Sequence, residues 1–176
     1  KASENALKKI TGKDYTFTTK FRTGFDWEFI KTLDKKKFAV LKTEKGNIKI
    51  KLLPEVALFS VVNFVRLAEK KFYDKTSFHR VVPNFVIQGG DPLNNGYGGP
   101  DYSIRSEFSP LRFERGFFGM ASEGRDTEGS QFFIMHSPHY HLDGRYTIFG
   151  EVVEGMEVVD NIAFSDVLET VTFSEN

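Results

Sequence analysis

Phe78-His79-Arg80-Val81-Val82-Pro83-Asn84-Phe85-Val86-Ile87-Gln88-Gly89-Gly90-Asp91-Pro92 is an apolar run of β type into which Arg80 and Gln88 are set. Side chains two apart in a strand share a face, so Val86 and Gln88 are expected on one side and Phe85 and Ile87 on the other. A second stretch, Gly129-Ser130-Gln131-Phe132-Phe133-Ile134, repeats the device with Gln131 and Phe133 on one face. A buried amide or guanidinium without a partner costs about 1–3 kcal/mol. Three such groups among valines and phenylalanines therefore point to a groove that handles something polar and something apolar together. A peptide bond with a ring beside it has that character.

Outward from this core the chain reads as short strands. Phe38-Ala39-Val40-Leu41 and Ile48-Lys49-Ile50-Lys51-Leu52 flank Glu44-Lys45-Gly46-Asn47, the pattern of a hairpin, and Pro54 closes the second strand. Val61, Phe64, Val65 and Ala68 recur at helical spacing, with Arg66, Glu69, Lys70 and Lys71 mostly outside the stripe, which predicts an amphipathic helix over 57–70. Apolar runs follow at 78–82, 85–88, 117–121, 131–135 and 147–152, then a second helix over 154–162 and a last strand over 167–173. Eight short strands and two helices predict a mainly β fold, a closed eight-stranded antiparallel β-barrel capped by two α-helices, because closure removes exposed sheet edges. The 19 phenylalanines supply much of its filling.

The 176 residues are the size of one domain that buries a core without covalent staples. We read 37–176 as that domain and 1–36 as an N-terminal arm or linker. The arm holds the only tryptophan, Trp27, in Phe25-Asp26-Trp27-Glu28-Phe29-Ile30, whose aromatic part is expected to pack on the domain. For 1–19 a flexible linker from a preceding domain is an equal reading, and a start at Lys1 leaves an upstream signal, anchor or further domain open.

No cysteine is present, which excludes disulfides, thiol catalysis and cysteine-bound zinc but leaves the compartment open. Lys plus Arg equals Asp plus Glu at 24 each, so nothing draws the chain to nucleic acid or anionic lipid. No apolar run approaches the roughly 18 residues of a membrane span, and residues 1–9 lack the apolar middle of a secretory signal. The expectation is a soluble chain, cytoplasmic or bacterial extracytoplasmic, with no membrane part in this stretch.

Other chemistries fit less well. His136, His139 and His141, in His136-Ser137-Pro138-His139-Tyr140-His141, are the best metal candidates, yet Pro138 scatters their directions and no carboxylate lies among them, so no metal is expected. Gly89-Gly90-Asp91 and Gly96-Tyr97-Gly98-Gly99 lack the lysine and following helix of a phosphate loop and read as turns. Ser130 lacks the Gly-x-Ser-x-Gly elbow of a serine hydrolase.

Taken in order, Phe78-His79-Arg80 through Gln88-Gly89-Gly90-Asp91, Gly96-Tyr97-Gly98-Gly99, Gly119-Met120-Ala121, Gly129-Ser130-Gln131-Phe132-Phe133, Leu142-Asp143-Gly144, Phe149-Gly150 and Val153-Glu154-Gly155-Met156 resemble a cyclophilin of bacterial kind. Cyclophilins are peptidyl-prolyl cis-trans isomerases. The resemblance, from about residue 37 to 173, implies an enzyme that assists protein folding by turning X-Pro bonds in proline-containing peptides or protein chains, as a monomer and without a cofactor. It implies catalytic roles for Arg80 and Gln88. It places the proline-ring pocket on Phe85, Val86, Phe133 and Leu142, and further substrate contacts on Ala121, Ser122, Gln131, His141 and Tyr146. Val86, His141 and Tyr146 stand where methionine, tryptophan and histidine are frequent in the family, and Ser122 where asparagine is. Loss of the indole at 141 predicts weak or no binding of cyclosporin.

Rotation about a peptide bond is opposed by amide resonance and needs no nucleophile or metal. It needs a donor that meets the prolyl nitrogen once the amide twists, and Arg80 is rich in donors and permanently charged. Gln131 has a second reading, as a group that orients Arg80 rather than touching substrate. Two rivals remain at this level: a proline-peptide binding module with incidental catalysis, which has no need of Arg80, and a domain that mainly positions a missing upstream part.

Overall fold

The computed structural model describes residues 26–175. The expected N-terminal linker over 1–19 lies outside them. Nine strands form one antiparallel sheet: β1 (Phe38–Thr43), β2 (Gly46–Leu52), β3 (Thr76–Ser77), β4 (Arg80–Val82), β5 (Val86–Gly89), β6 (Phe117–Met120), β7 (Phe132–Met135), β8 (Ile148–Glu154) and β9 (Val167–Ser174). Their order is β3-β9-β1-β2-β8-β6-β7-β5-β4. The two end strands are neighbours in sequence, joined only by Phe78-His79, so the sheet curls until the chain itself links its ends.

The eight-stranded closed barrel is therefore corrected in detail while the fold class holds. The run at 78–82 is not one strand. Phe78 is fully buried and turns into the core, and at this bend pairing passes from β9, where Thr76 and Ser77 face Leu168 and Val167, to β5, where Arg80 faces Gln88.

The hairpin forms with Thr43 opposite Gly46, leaving Glu44 and Lys45 as a two-residue turn. The first expected helix spans Leu58–Glu69 and the second Met156–Asn161. An additional short helix, Trp27–Lys31, begins the described chain, so the α-helices number three among the described residues; we call them α1 (Trp27–Lys31), α2 (Leu58–Glu69) and α3 (Met156–Asn161). Asp26 caps α1 by accepting from the Phe29 N–H at 3.1 Å. Phe29 lies under the Arg66 guanidinium at 4.4 Å and near Lys36 Nζ at 5.0 Å, and Leu33, in the turn that follows, is buried. Residues 26–36 thus meet α2 where Phe29 lies under Arg66 and enter the large core through Leu33, while Trp27 is mostly exposed. Among the described residues no helix is long and apolar enough to cross a membrane.

Alternation along the strands divides the apolar residues into two bodies. Ile87, Phe132, Ile134 and Phe118 join α2 residues Val61, Phe64 and Val65 in the large core. Their neighbours Val86, Phe133 and Met135 point to the other face and form a second cluster with Leu53, Phe113, Leu142 and Ile148. The second cluster is the floor of the candidate site.

Candidate active site

On this outer face a niche of about 150 Å³ opens to solvent. Val86, Phe133 and Leu142 line its base and are nearly buried. Phe133 faces Gly119 across the β6–β7 ladder. A Cβ on Gly119 would come within 2.6 Å of Phe133 Cζ, so the ring can lie flat against this strand only because no side chain is there. Tyr146 meets Phe133 edge to face at 5.8 Å and forms one wall.

Phe85 forms the opposite wall, and here the strand reading is corrected. Phe85 precedes β5 in a turn in which its N–H donates to Val82 O at 3.0 Å and Asn84 takes φ 59°. The turn swings the ring to the side of Val86, not Ile87, and it packs on the second cluster. His139 contacts it edge-on at 4.7 Å and His141 stacks on it at 6.0 Å. His141 therefore supports the wall from behind and is not among the niche-lining side chains.

Arg80, Gln88, Ala121 and Ser122 complete the niche. Arg80 and Gln88 face each other in the β4–β5 register, and Arg80 Nη1 donates to Gln88 Oε1 at 3.2 Å. The guanidinium carbon also stands 5.5 Å from the centre of the Phe85 ring. Among the described residues no carboxylate pairs with Arg80, so most of its five donors stay available at the mouth. The Ala121 N–H is spent on Gln131 O at 2.9 Å, which leaves the next donor along, the Ser122 N–H, on the wall between the niche and a neighbouring cavity.

That neighbouring cavity, of about 300 Å³, shares Gln88, Ala121 and Ser122 with the niche and is otherwise lined by residues of the glycine-rich segment 96–103 and of 123–131. Gln131 lines this cavity rather than the niche. Its Oε1 accepts from Gln88 Nε2 at 3.0 Å, and its Nε2 donates to Gly96 O and Gly98 O, each at 2.9 Å. An uninterrupted row of hydrogen bonds thus leads from Arg80 through two amides to the glycine loop. In the sequence that loop reads as turns and close-approach positions, and the signal of its further part is the pair of amides, Gln88 and Gln131, set in apolar runs and in need of acceptors.

His139 meets His141 edge to face at 5.5 Å, but His136 is turned elsewhere. His139 Nε2 lies 2.8 Å from Asn84 O and His136 Nε2 3.2 Å from Val159 O, and among the described residues no group of three or more His, Asp or Glu side chains is arranged to hold a metal ion. What the site can do is seat a small apolar ring against Phe133 and present a cation and N–H donors to the polar group beside it.

Residues 38–175 match the family described as cyclophilin type peptidyl-prolyl cis-trans isomerase/CLD. The peptidyl-prolyl cis-trans isomerase of Helicobacter pylori is 45% identical over 148 residues, which cover 82% of this chain and 91% of that one. Peptidyl-prolyl cis-trans isomerase B of Bacillus subtilis is 48% identical over 131 residues, covering 73% and 92%. A crystal structure of a Cryptosporidium parvum cyclophilin, solved in the presence of the dipeptide Ala-Pro, superposes with TM-score 0.74 at 30% identity, covering 79% of this chain and 99% of that one.

Proposed function

This chain belongs to the cyclophilin-type peptidyl-prolyl cis-trans isomerases, and on that premise we propose that Arg80, with Gln88 behind it, supplies the donor for the twisted prolyl amide while Phe85, Val86, Phe133 and Leu142 seat the proline ring. The enzyme accelerates rotation about X-Pro bonds. Its own residues have to favour the state in which conjugation is broken and the prolyl nitrogen has become a pyramidal acceptor. A guanidinium donor reaches that nitrogen only once the amide twists, so its hydrogen bond is made in the transition state and not before.

Magnitudes show that Arg80 does not act alone. X-Pro bonds exchange in roughly tens to hundreds of seconds, and reaching milliseconds takes about four decades, or about 5–6 kcal/mol of barrier. A hydrogen bond from a charged donor contributes about 1.5–3 kcal/mol. The remainder is assigned to holding the ring on Phe133 while the preceding carbonyl swings past fixed groups such as Gln88 and a backbone N–H near Ser122, both residues lining the niche. Ala121 and Tyr146 shape the walls. Gln131 and His141 act one layer out, on Gln88 and on Phe85.

The observation that carries this assignment is the guanidinium at the niche mouth, held by one amide and, among the described residues, paired with no carboxylate. Arg80→Ala should lower the isomerisation rate on an Ala-Pro test peptide at least tenfold with the fold intact. A folded variant that keeps its full rate refutes the role given to Arg80, and a wild type that binds the peptide without turning it would make the niche a binding module.

The substrates are proline-containing segments of protein chains, and one copy of the chain suffices for the activity, since niche, rim and walls all come from it. Cyclosporin binds weakly or not at all, because an imidazole at 141 offers less apolar surface than an indole. Calorimetry on His141→Trp should show binding tightened at least tenfold; equal affinity would remove position 141 as the cause.

A further inference from the structure

We propose that Asp91 is a positioning residue for isomerisation: its carboxylate fixes the loop 91–98, and through the carbonyls of Gly96 and Gly98 and the amides of Gln131 and Gln88 that loop fixes Arg80. The inference rests on the role given to Arg80 above.

Asp91 is fully buried, an unusual place for a carboxylate. It is satisfied by the loop that it begins. Oδ1 accepts from the Leu93 N–H at 2.7 Å, and Oδ2 accepts from the Asn95 and Gly96 N–H groups at 2.9 and 2.5 Å. Burial pushes its carboxyl up, but the N–H groups of Leu93, Asn95, Gly96 and Gly98 outweigh this and hold it below the usual aspartate value. The outward side chains of the loop, Leu93 and Tyr97, are strongly exposed and give it little packing. Asn94 Oδ1 ties the near end by accepting from the Ser77 N–H at 2.6 Å. The far end, which carries the two carbonyls, depends on Asp91.

Those carbonyls decide the direction of every bond that follows. Gly96 O and Gly98 O can only accept, so they take both hydrogens of Gln131 Nε2. That leaves Gln131 Oε1 turned to Gln88 Nε2. Gln88 Oε1 is then turned to Arg80, which can only donate. With an acceptor pair at one end and a cation at the other, one orientation of each amide satisfies the row, and a flip anywhere sets two like groups against each other. If the loop carbonyls withdraw, Gln131 is released, Gln88 follows, and the guanidinium loses its fixed acceptor.

The floor of the niche lies outside this row. Val86, Phe133 and Leu142 are held by the second cluster, so disturbing Asp91 should spare ground-state binding and weaken only the contact made when the amide twists. Asp91→Asn keeps the volume but turns a donor toward N–H groups. With kcat and KM measured by exchange NMR on an Ala-Pro peptide, it should lower kcat at least fivefold and change KM less than twofold. In an Arg80→Ala background it should cost nothing further, because there is no guanidinium left to place. A general loss of structure would not give that split.

A wild-type kcat in Asp91→Asn, or a loss that adds in full to that of Arg80→Ala, overturns this inference while leaving Arg80's role intact. Full activity in Arg80→Ala overturns both. Should Asp91→Asn fail to fold, Gly98→Ala takes its place with the same reading, since a Cβ there would overlap Asp91 Oδ1 and displace the carboxylate without removing it.

Discussion

Arg80 and Gln88 stand directly opposite each other on β4 and β5, and their side chains meet above the ladder at 3.2 Å. The arginine is therefore held from the side and leaves its other donors facing the niche. A planar fork can do both at once; an ammonium on a flexible stem cannot. Arg80→Lys should reduce kcat/KM at least tenfold. Because Arg80 is exposed, stability should shift by no more than about 0.5 kcal/mol. Paired denaturation and exchange measurements check this, and a Lys variant as fast as the wild type would remove the need for a fork.

Gly119→Ala tests the floor of the niche. The new methyl would press on Phe133, whose Cζ lies 2.6 Å from its position, and on Phe113 at 3.0 Å. Overpacking of this kind costs about 1–3 kcal/mol. We expect a higher KM for Ala-Pro peptides, since the tilted ring no longer fits the proline. An unchanged KM would show that Phe133 does not seat the substrate.

Glu128 gives a pH prediction. It is fully buried, Thr147 Oγ1 donates to its Oε1 at 3.3 Å, and among the described residues its Oε2 has no hydrogen-bond partner. Burial pushes its carboxyl up, beyond what the Ser106 and Thr147 hydroxyls recover. A carboxyl that binds its proton more tightly folded than unfolded makes the fold more stable at acid pH. That advantage drains away as pH rises through the ordinary glutamate value toward the raised one. Glu128→Gln cannot ionise, so its melting temperature relative to wild type should climb as the pH is raised above the ordinary glutamate value of about 4.3. A difference that stays constant over that rise would show that Glu128 ionises without penalty.

Leu33→Ala tests whether the segment before β1 belongs to the fold. Leu33 is buried against the large core and lies outside the candidate site. Removing it should cost about 2–4 kcal/mol in chemical denaturation while leaving kcat/KM at 25 °C unchanged. A cost below about 0.5 kcal/mol would make the segment a dispensable lead-in.

Strand alternation was legible where neighbouring residues decide it. Val86 and Ile87, or Phe133 and Ile134, separate to opposite faces as period two demands. Phe85 escaped that rule because Asn84 takes a left-handed backbone conformation, and a period-two pattern carries no sign of it. The break at Phe78 escaped for a similar reason, since an apolar run shows neither where a strand bends nor which neighbour it pairs with. Arg80, Gln88, Ala121, Ser122, Val86, Phe133 and Leu142 were legible as one group through motif order, and the structure brings them around one niche. The destination of Gln131 was not, because its acceptors come from a loop more than thirty positions earlier in the chain. Pairings over such separations depend on how the whole sheet curls.

The two terminal strands of the sheet are only two and three residues long and run into one another at Phe78-His79. An enzyme that turns X-Pro bonds meets extended polypeptide, and any long unsatisfied backbone margin would invite such a chain to zip on as an extra strand. Here the margin is too brief to nucleate that, so a visiting chain is offered a seat for one ring and released rather than annexed.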